Sequence, residues 1–197
     1  AVVDLAGSCA YLAEWATGHE IAALCAAGRT AVAGRILDDD ATILLRMDNG
    51  ALGHIAVSQI ALGEADGVQL SIYGDKGSAH WTQATANTWT LVAPDGKRTV
   101  QTVKGAPAPE PGDGRFGQPY GDDAAYIAAL AAAYKDFAQT ILAEREGKPR
   151  ESRFVGVDPA LRVATFNTIA ARSIVPGADD STAKWLDFTV PKVELLV

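Results

Sequence analysis

The alternation of apolar and polar positions changes period several times along this chain, and each change marks an element. Residues 5–17 carry apolar side chains at helical spacing and stop at Gly18, a residue suited to the left-handed position after a helix. From Glu20 the period shortens, and Glu20–Ala27 is expected to be a strand. Thr42–Met47 and Leu52–Ile60 flank Asn49-Gly50, a pair that tolerates the positive φ of a tight turn, so they are expected to form a hairpin. Further strands are expected at Val68–Tyr73, Ser78–Thr82, Thr88–Val92 and Arg98–Val103, separated by Gly74-Asp75-Lys76-Gly77 and Pro94-Asp95-Gly96. The proline- and glycine-rich stretch Lys104–Tyr120 is incompatible with regular structure and is expected to be a long surface excursion. A helix is expected from about Ala124 to Glu146, with Tyr126, Leu130, Tyr134, Phe137 and Ile141 turned to the core. A second should open with Asp158 as cap and Pro159 at its first position and run to about Ser173, before Pro176-Gly177; Trp185–Val190 is expected to add a last strand.

Helices grouped before and after an antiparallel meander make an α+β fold: a mainly antiparallel open sheet with the helices packed on one face. The strand residues Ile43, Leu45, Ile55, Val57, Leu70 and Ile72 suggest that the other face is also apolar, and a homodimer through it is the expected use. We take residues 1–190 as a single domain and 191–197 as a tail, which is either native or vector-derived.

Composition narrows the function classes. A net charge of −7 and a pI near 4.9, without any Lys/Arg cluster, argue against nucleic-acid binding. The apolar run Ala124–Ala143 is broken by Lys135, Asp136 and Gln139 and is alanine-rich, so it is expected to pack against protein, not lipid. No secretory signal is visible and a cytoplasmic protein is expected. Cys9 and Cys25 lack metal-ligand spacing and are expected to be buried free thiols. His19, His54 and His80 are scattered, so no metal site is expected.

Several segments carry a resemblance in the correct order. Asp4-Leu5-Ala6-Gly7-Ser8 followed by Leu12-Ala13-Glu14-Trp15-Ala16-Thr17-Gly18 is similar to the Asp-Ile-Gly-x-His…Leu-Ala-Glu-x-x-Thr-Gly segment of the Gfo/Idh/MocA oxidoreductases, the glucose-fructose oxidoreductase and inositol dehydrogenase-like enzymes. Leu37–Arg46 with Asn49–Gly53, Ser58–Gly63, Ile72–Ser78 with Trp81, and Gly121–Tyr126 followed by Tyr134–Ala138 continue it. The resemblance implies the family's C-terminal α+β domain, whose open sheet commonly forms the subunit contact and whose helix side faces the active site. It implies NAD(P) as the cofactor of a full-length relative. It also implies that Asp4 lies beside the substrate, a sugar or polyol, and that Tyr126 lies near it.

The departures limit what carries over. Ser8 stands where the family has a catalytic His, and Asp122 where it has a second His. A serine hydroxyl cannot give up and recover a proton near neutral pH without a partner base. Asp122 is suited to accept a proton or hold a sugar hydroxyl, and equally to stabilise a helix N-terminus. Neither Gly-x-Gly-x-x-Gly after a strand nor a Glu-Lys-Pro segment with the family's catalytic Lys is present, so no cofactor is expected in this chain. Asp4 and Ser8 remain the catalytic candidates, and Gln59, Asp122 and Tyr126 the substrate-binding ones. Trp81 and Trp89 could stack on a sugar ring, but an interface is the preferred role. A free-standing dimeric binding module that has discarded redox chemistry is the main alternative, and a hydrolase using Ser8 with His80 or His54 and Asp122 a lesser one.

Overall fold

The computed structural model describes residues 1–64, 67–102, 123–149, 156–174 and 184–191, with the side chains of 123–126 not described. The order of elements is a π-helical turn Val2–Ala6, α1 Gly7–Thr17, β1 Ile21–Arg29, β2 Asp40–Met47, β3 Leu52–Ser58, β4 Gln69–Gly74, β5 Gly77–Thr82, β6 Thr88–Val92, β7 Arg98–Thr102, α2 Asp123–Arg145, α3 Val157–Ser173 and β8 Leu186–Asp187. This is the expected α+β fold. Among the described residues every strand pair is antiparallel, but the strands divide into two four-stranded sheets, β3-β2-β1-β8 and β4-β5-β6-β7, where a single meander was expected. The chain correspondingly forms two compact units, Ala1–Ala61 with Val155–Val197, and Leu62–Phe154.

In the first unit the alternation of β2 is complete: Ala41, Ile43, Leu45 and Met47 are buried, while Thr42, Leu44 and Arg46 between them are exposed. The buried set faces α1, α3 and the π turn, so the helices of this unit cover one face of its sheet. Val2, Leu24, Ile43 and Phe166 are essentially removed from water, each burial worth roughly 1.5–3 kcal/mol. Gly50 turns β2 into β3 at φ 85°, as the Asn-Gly pair predicted. Gly18 ends α1 at φ 69° and donates its N–H to the Glu14 carbonyl at 2.9 Å, the expected left-handed cap.

Three helical expectations need correction. The first helix begins earlier, through the π turn, because Val2 and Ala6 have a core to enter. The cap of α3 is Gly156, not Asp158, which places Asp158 and Pro159 inside the first turn. Both are compatible with that turn, since a carboxylate there meets the positive helix end and the N–H that proline lacks would have no intrahelical acceptor there. In α2 the described part of the stripe assigned to the core, Leu130, Tyr134, Phe137 and Ile141, is exposed, from 41% at Ile141 to 68% at Tyr134. The last expected strand shrinks to Leu186–Asp187, paired with β1 through Leu24 and Ala23. The Lys104–Tyr120 excursion, Pro176-Gly177 and most of the tail lie outside the described residues.

In the second unit, register places Leu70, Trp81, Trp89 and Gln101 side by side across β4 to β7. Trp81 is half-buried and its Nε1–H donates to the Ala86 carbonyl at 2.9 Å. Cys9 is half-buried and Cys25 buried, both as free thiols, and burial raises the pKa of Cys9.

Candidate functional site

The π turn presents Asp4 at the surface at the start of α1. Gln59, immediately after β3, donates its side-chain Nε2–H to Asp4 Oδ2 at 3.1 Å. Two residues singled out in separate segments are thus hydrogen-bonded. Both line an open depression of about 700 Å³, together with Val3 and the loop residues Gly34, Arg35, Ile36, Leu37 and Asp38. A carboxylate offers about four lone-pair sites and Gln59 occupies one, so Asp4 keeps acceptor capacity toward a ligand hydroxyl.

Of three consecutive aspartates here, the first two hold this depression together and the third stands outside it. Asp38 Oδ2 accepts the Val2 N–H at 2.7 Å, tying the loop to the π turn. Asp39 is 0% exposed and accepts the N–H groups of Ala31 at 2.8 Å and Val32 at 2.9 Å, while its own carbonyl accepts the Gln59 N–H at 2.8 Å. Asp40 pairs with Arg29 at 3.2 Å on the surface. Asp39 therefore fixes both the loop and the backbone of Gln59, a role that sequence reasoning missed. The signal was an aspartate run at a loop-to-strand junction, where short carboxylates bond nearby backbone.

The two backbone N–H bonds, with Arg35 at 3.5 Å, hold the Asp39 carboxyl below the ordinary aspartate range. Because the folded-state pKa is the lower one, the stabilisation is present above the unfolded value of about 3.9 and disappears as pH falls through the folded value. Hydrogen exchange at Ala31 and Val32 should therefore stay protected down to about pH 4 and lose protection only below it. Loss already near pH 5 would contradict this role.

Ser8, one turn beyond Asp4, is exposed. Asp122 is outside the described residues, and Tyr126 falls in α2 with its side chain not described. His19 pairs with Asp48 at 2.9 Å beyond the C-terminal end of α1. His54 is exposed on β3, opposite Leu44. His80, in the second unit, lies between Ser78 at 2.9 Å and Ser71 at 3.0 Å, with Tyr73 edge-on at 5.4 Å. Among the described residues no group of three His, Cys, Asp or Glu side chains could hold a metal, and no helix is long and apolar enough to cross a membrane.

Over residues 1–80 the chain matches the family model of the GFO/IDH/MocA C-terminal domain. That stretch belongs to the GFO/IDH/MocA family. An oxidoreductase from Sinorhizobium meliloti has the same fold at TM-score 0.74 and 28% identity, over 93% of this chain and 51% of the other. An inositol dehydrogenase homolog from Azotobacter vinelandii, solved with NADH and myo-inositol, superposes at TM-score 0.61 with 22% identity, over 94% of this chain and 49% of that one. Levoglucosan dehydrogenase in complex with NADH and levoglucosan does so at TM-score 0.61 and 21% identity, over 96% and 50%. The chain thus spans about half the length of the solved relatives it matches. Comparison with curated proteins gives no match.

Among the described residues nothing forms the cradle that a dinucleotide needs. Its pyrophosphate needs a glycine-rich turn between a strand and a helix within a parallel βαβ unit, whereas every described strand pair here is antiparallel.

Proposed function

We propose that this chain is the substrate-side and dimerisation domain of a GFO/IDH/MocA-like NAD(P)-dependent oxidoreductase acting on a sugar, polyol or related hydroxyl compound, and that it is redox-silent by itself. The observation that carries the reading is the Asp4–Gln59 hydrogen bond on the wall of the 700 Å³ depression, within the segment that matches the family. Asp4 would accept a hydroxyl of the ligand, and Gln59 would hold the carboxylate toward it. The nucleotide domain of a full-length relative would close over the same depression, where Ile36 and Leu37 are exposed. The compartment would be the cytoplasm.

The outer face of the first sheet, with Leu44 and Leu52 exposed, would meet a second copy. Sedimentation should then give a dimer; a species of only 20.5 kDa would refute the contact. Titration of the labelled chain with myo-inositol should shift the resonances of Val3, Asp4 and Gln59, and calorimetry should find no stoichiometric NAD(H) or NADP(H). Bound nucleotide would overturn the silent reading, and unmoved resonances with this polyol and with levoglucosan would remove the substrate-side reading.

Ser8 at the family's His position favours a second reading, a free-standing binding module that uses the same depression without redox chemistry. An in-frame Gly-x-Gly-x-x-Gly region upstream of Ala1 would decide for the oxidoreductase.

A further inference from the structure

Asp4 reaches the depression from a π turn, a rare conformation that often occurs at functional sites. The peptide group leading into Asp4 begins with the Val3 carbonyl, and that oxygen accepts the side-chain Nδ2–H of Asn167, on α3, at 3.1 Å. A peptide group is planar, so a donor that fixes the Val3 carbonyl also fixes the N–Cα bond of Asp4, and with it the direction in which the carboxylate leaves the helix.

The packing around Asn167 gives this contact a second, independent support. A Cβ on Gly7 would lie 2.7 Å from Asn167 Oδ1 and 2.9 Å from its Nδ2, so the bare backbone of Gly7 makes room for the amide. Among the described residues Asn167 Oδ1 is itself buried without a hydrogen-bond partner. An orphaned acceptor costs free energy that an apolar side chain of similar size would avoid. Turning the amide over would place Oδ1 against the Val3 carbonyl, oxygen against oxygen, so the Nδ2 contact dictates the orientation.

We propose that Asn167 is a positioning residue for Asp4: it gives up satisfaction of its own Oδ1 to hold the π turn in the conformation that brings Asp4 to Gln59. The role attaches to the polyol site proposed above, and its test uses neither polyol nor cofactor. In the labelled full chain, a scalar coupling across the hydrogen bond from Asn167 Nδ2 to the Val3 carbonyl carbon should be observed. Asp4→Ala should displace the Gln59 side-chain amide resonances, and in an Asn167→Leu background that displacement should fall by more than half. The melting temperature of Asn167→Leu should stay close to that of the parent, because the substitution removes the orphaned acceptor along with the donor.

Full displacement in a folded Asn167→Leu protein would overturn the assignment. If that variant does not fold, the coupling in the parent chain decides: its presence supports the assignment and its absence overturns it. Failure of myo-inositol to bind would remove the substrate reading alone and leave these results unaffected.

Discussion

Arg162→Ala is expected to destabilise the first unit by about 3 kcal/mol, the lower end for breaking a largely buried ion pair. Arg162 on α3 donates Nε–H to Glu14 Oε2 at 2.7 Å and Nη2–H to Glu14 Oε1 at 2.6 Å, a two-pronged contact with α1. Glu14 Oε1 also accepts the Ile21 N–H at 2.6 Å, and Arg162 Nη2 donates to the Ile21 carbonyl at 3.2 Å, so one carboxylate and one guanidinium join α1, α3 and the start of β1. The guanidinium lies 4.6 Å from the centre of the Phe188 ring. Its hydrogen bonds to Glu14 raise the Arg162 pKa further, so the guanidinium stays charged.

The side chains are only 22% and 14% exposed, which limits screening by salt and leaves Glu14 uncompensated once its partner is gone. In a unit of this size the loss corresponds to a fall of roughly 12–24 °C in melting temperature. Arg162→Lys should recover only part of it, since an ammonium cannot reproduce the fork. Replacing both partners, as in Glu14→Gln with Arg162→Met, should cost less than Arg162→Ala alone. Chemical denaturation of the variants measures all of this, and an Arg162→Ala protein as stable as its parent would show that the pair is surface decoration.

Gly77→Ala should have a comparable effect on the second unit, about 3 kcal/mol, for a steric reason. Gly77 opens β5 at φ 129°, where side chains are strained, and a Cβ there would come within 2.1 Å of the Val92 carbonyl oxygen. That oxygen is backbone in β6, in register with Ser78, so relief requires the strands to part. Gly96, at φ 84° with nothing within 4 Å of a Cβ, provides the contrast. Gly96→Ala should cost only about 1 kcal/mol, from the backbone conformation alone. Equal losses at the two positions would rule out the steric account.

Period, turn chemistry and the glycine stop of the first helix are local properties, and they were legible in the sequence. The hairpin about Asn49-Gly50, the stop at Gly18 and the boundaries of β6 follow from them to within a residue or two. Asp4 and Gln59 could be singled out in the sequence, Asp4 through the resemblance and Gln59 through its place on an expected strand. That they meet was not legible there, because 55 positions separate them and no local rule specifies the long-range approach of two side chains. Asn167 was missed for the same reason, since it is identified by a carbonyl of the π turn on another helix, whereas Asp39 was missed although the aspartate run beside its loop was a local signal. The exposed stripe of α2 shows the converse, since helical periodicity marks an apolar face without naming what covers it. The chain by itself determined its elements, its α+β class and its family resemblance, all set by neighbours in sequence. Only the tertiary structure decided the division into two sheets and the joining of Asp4 to Gln59, because strand pairing and site geometry depend on contacts between distant segments.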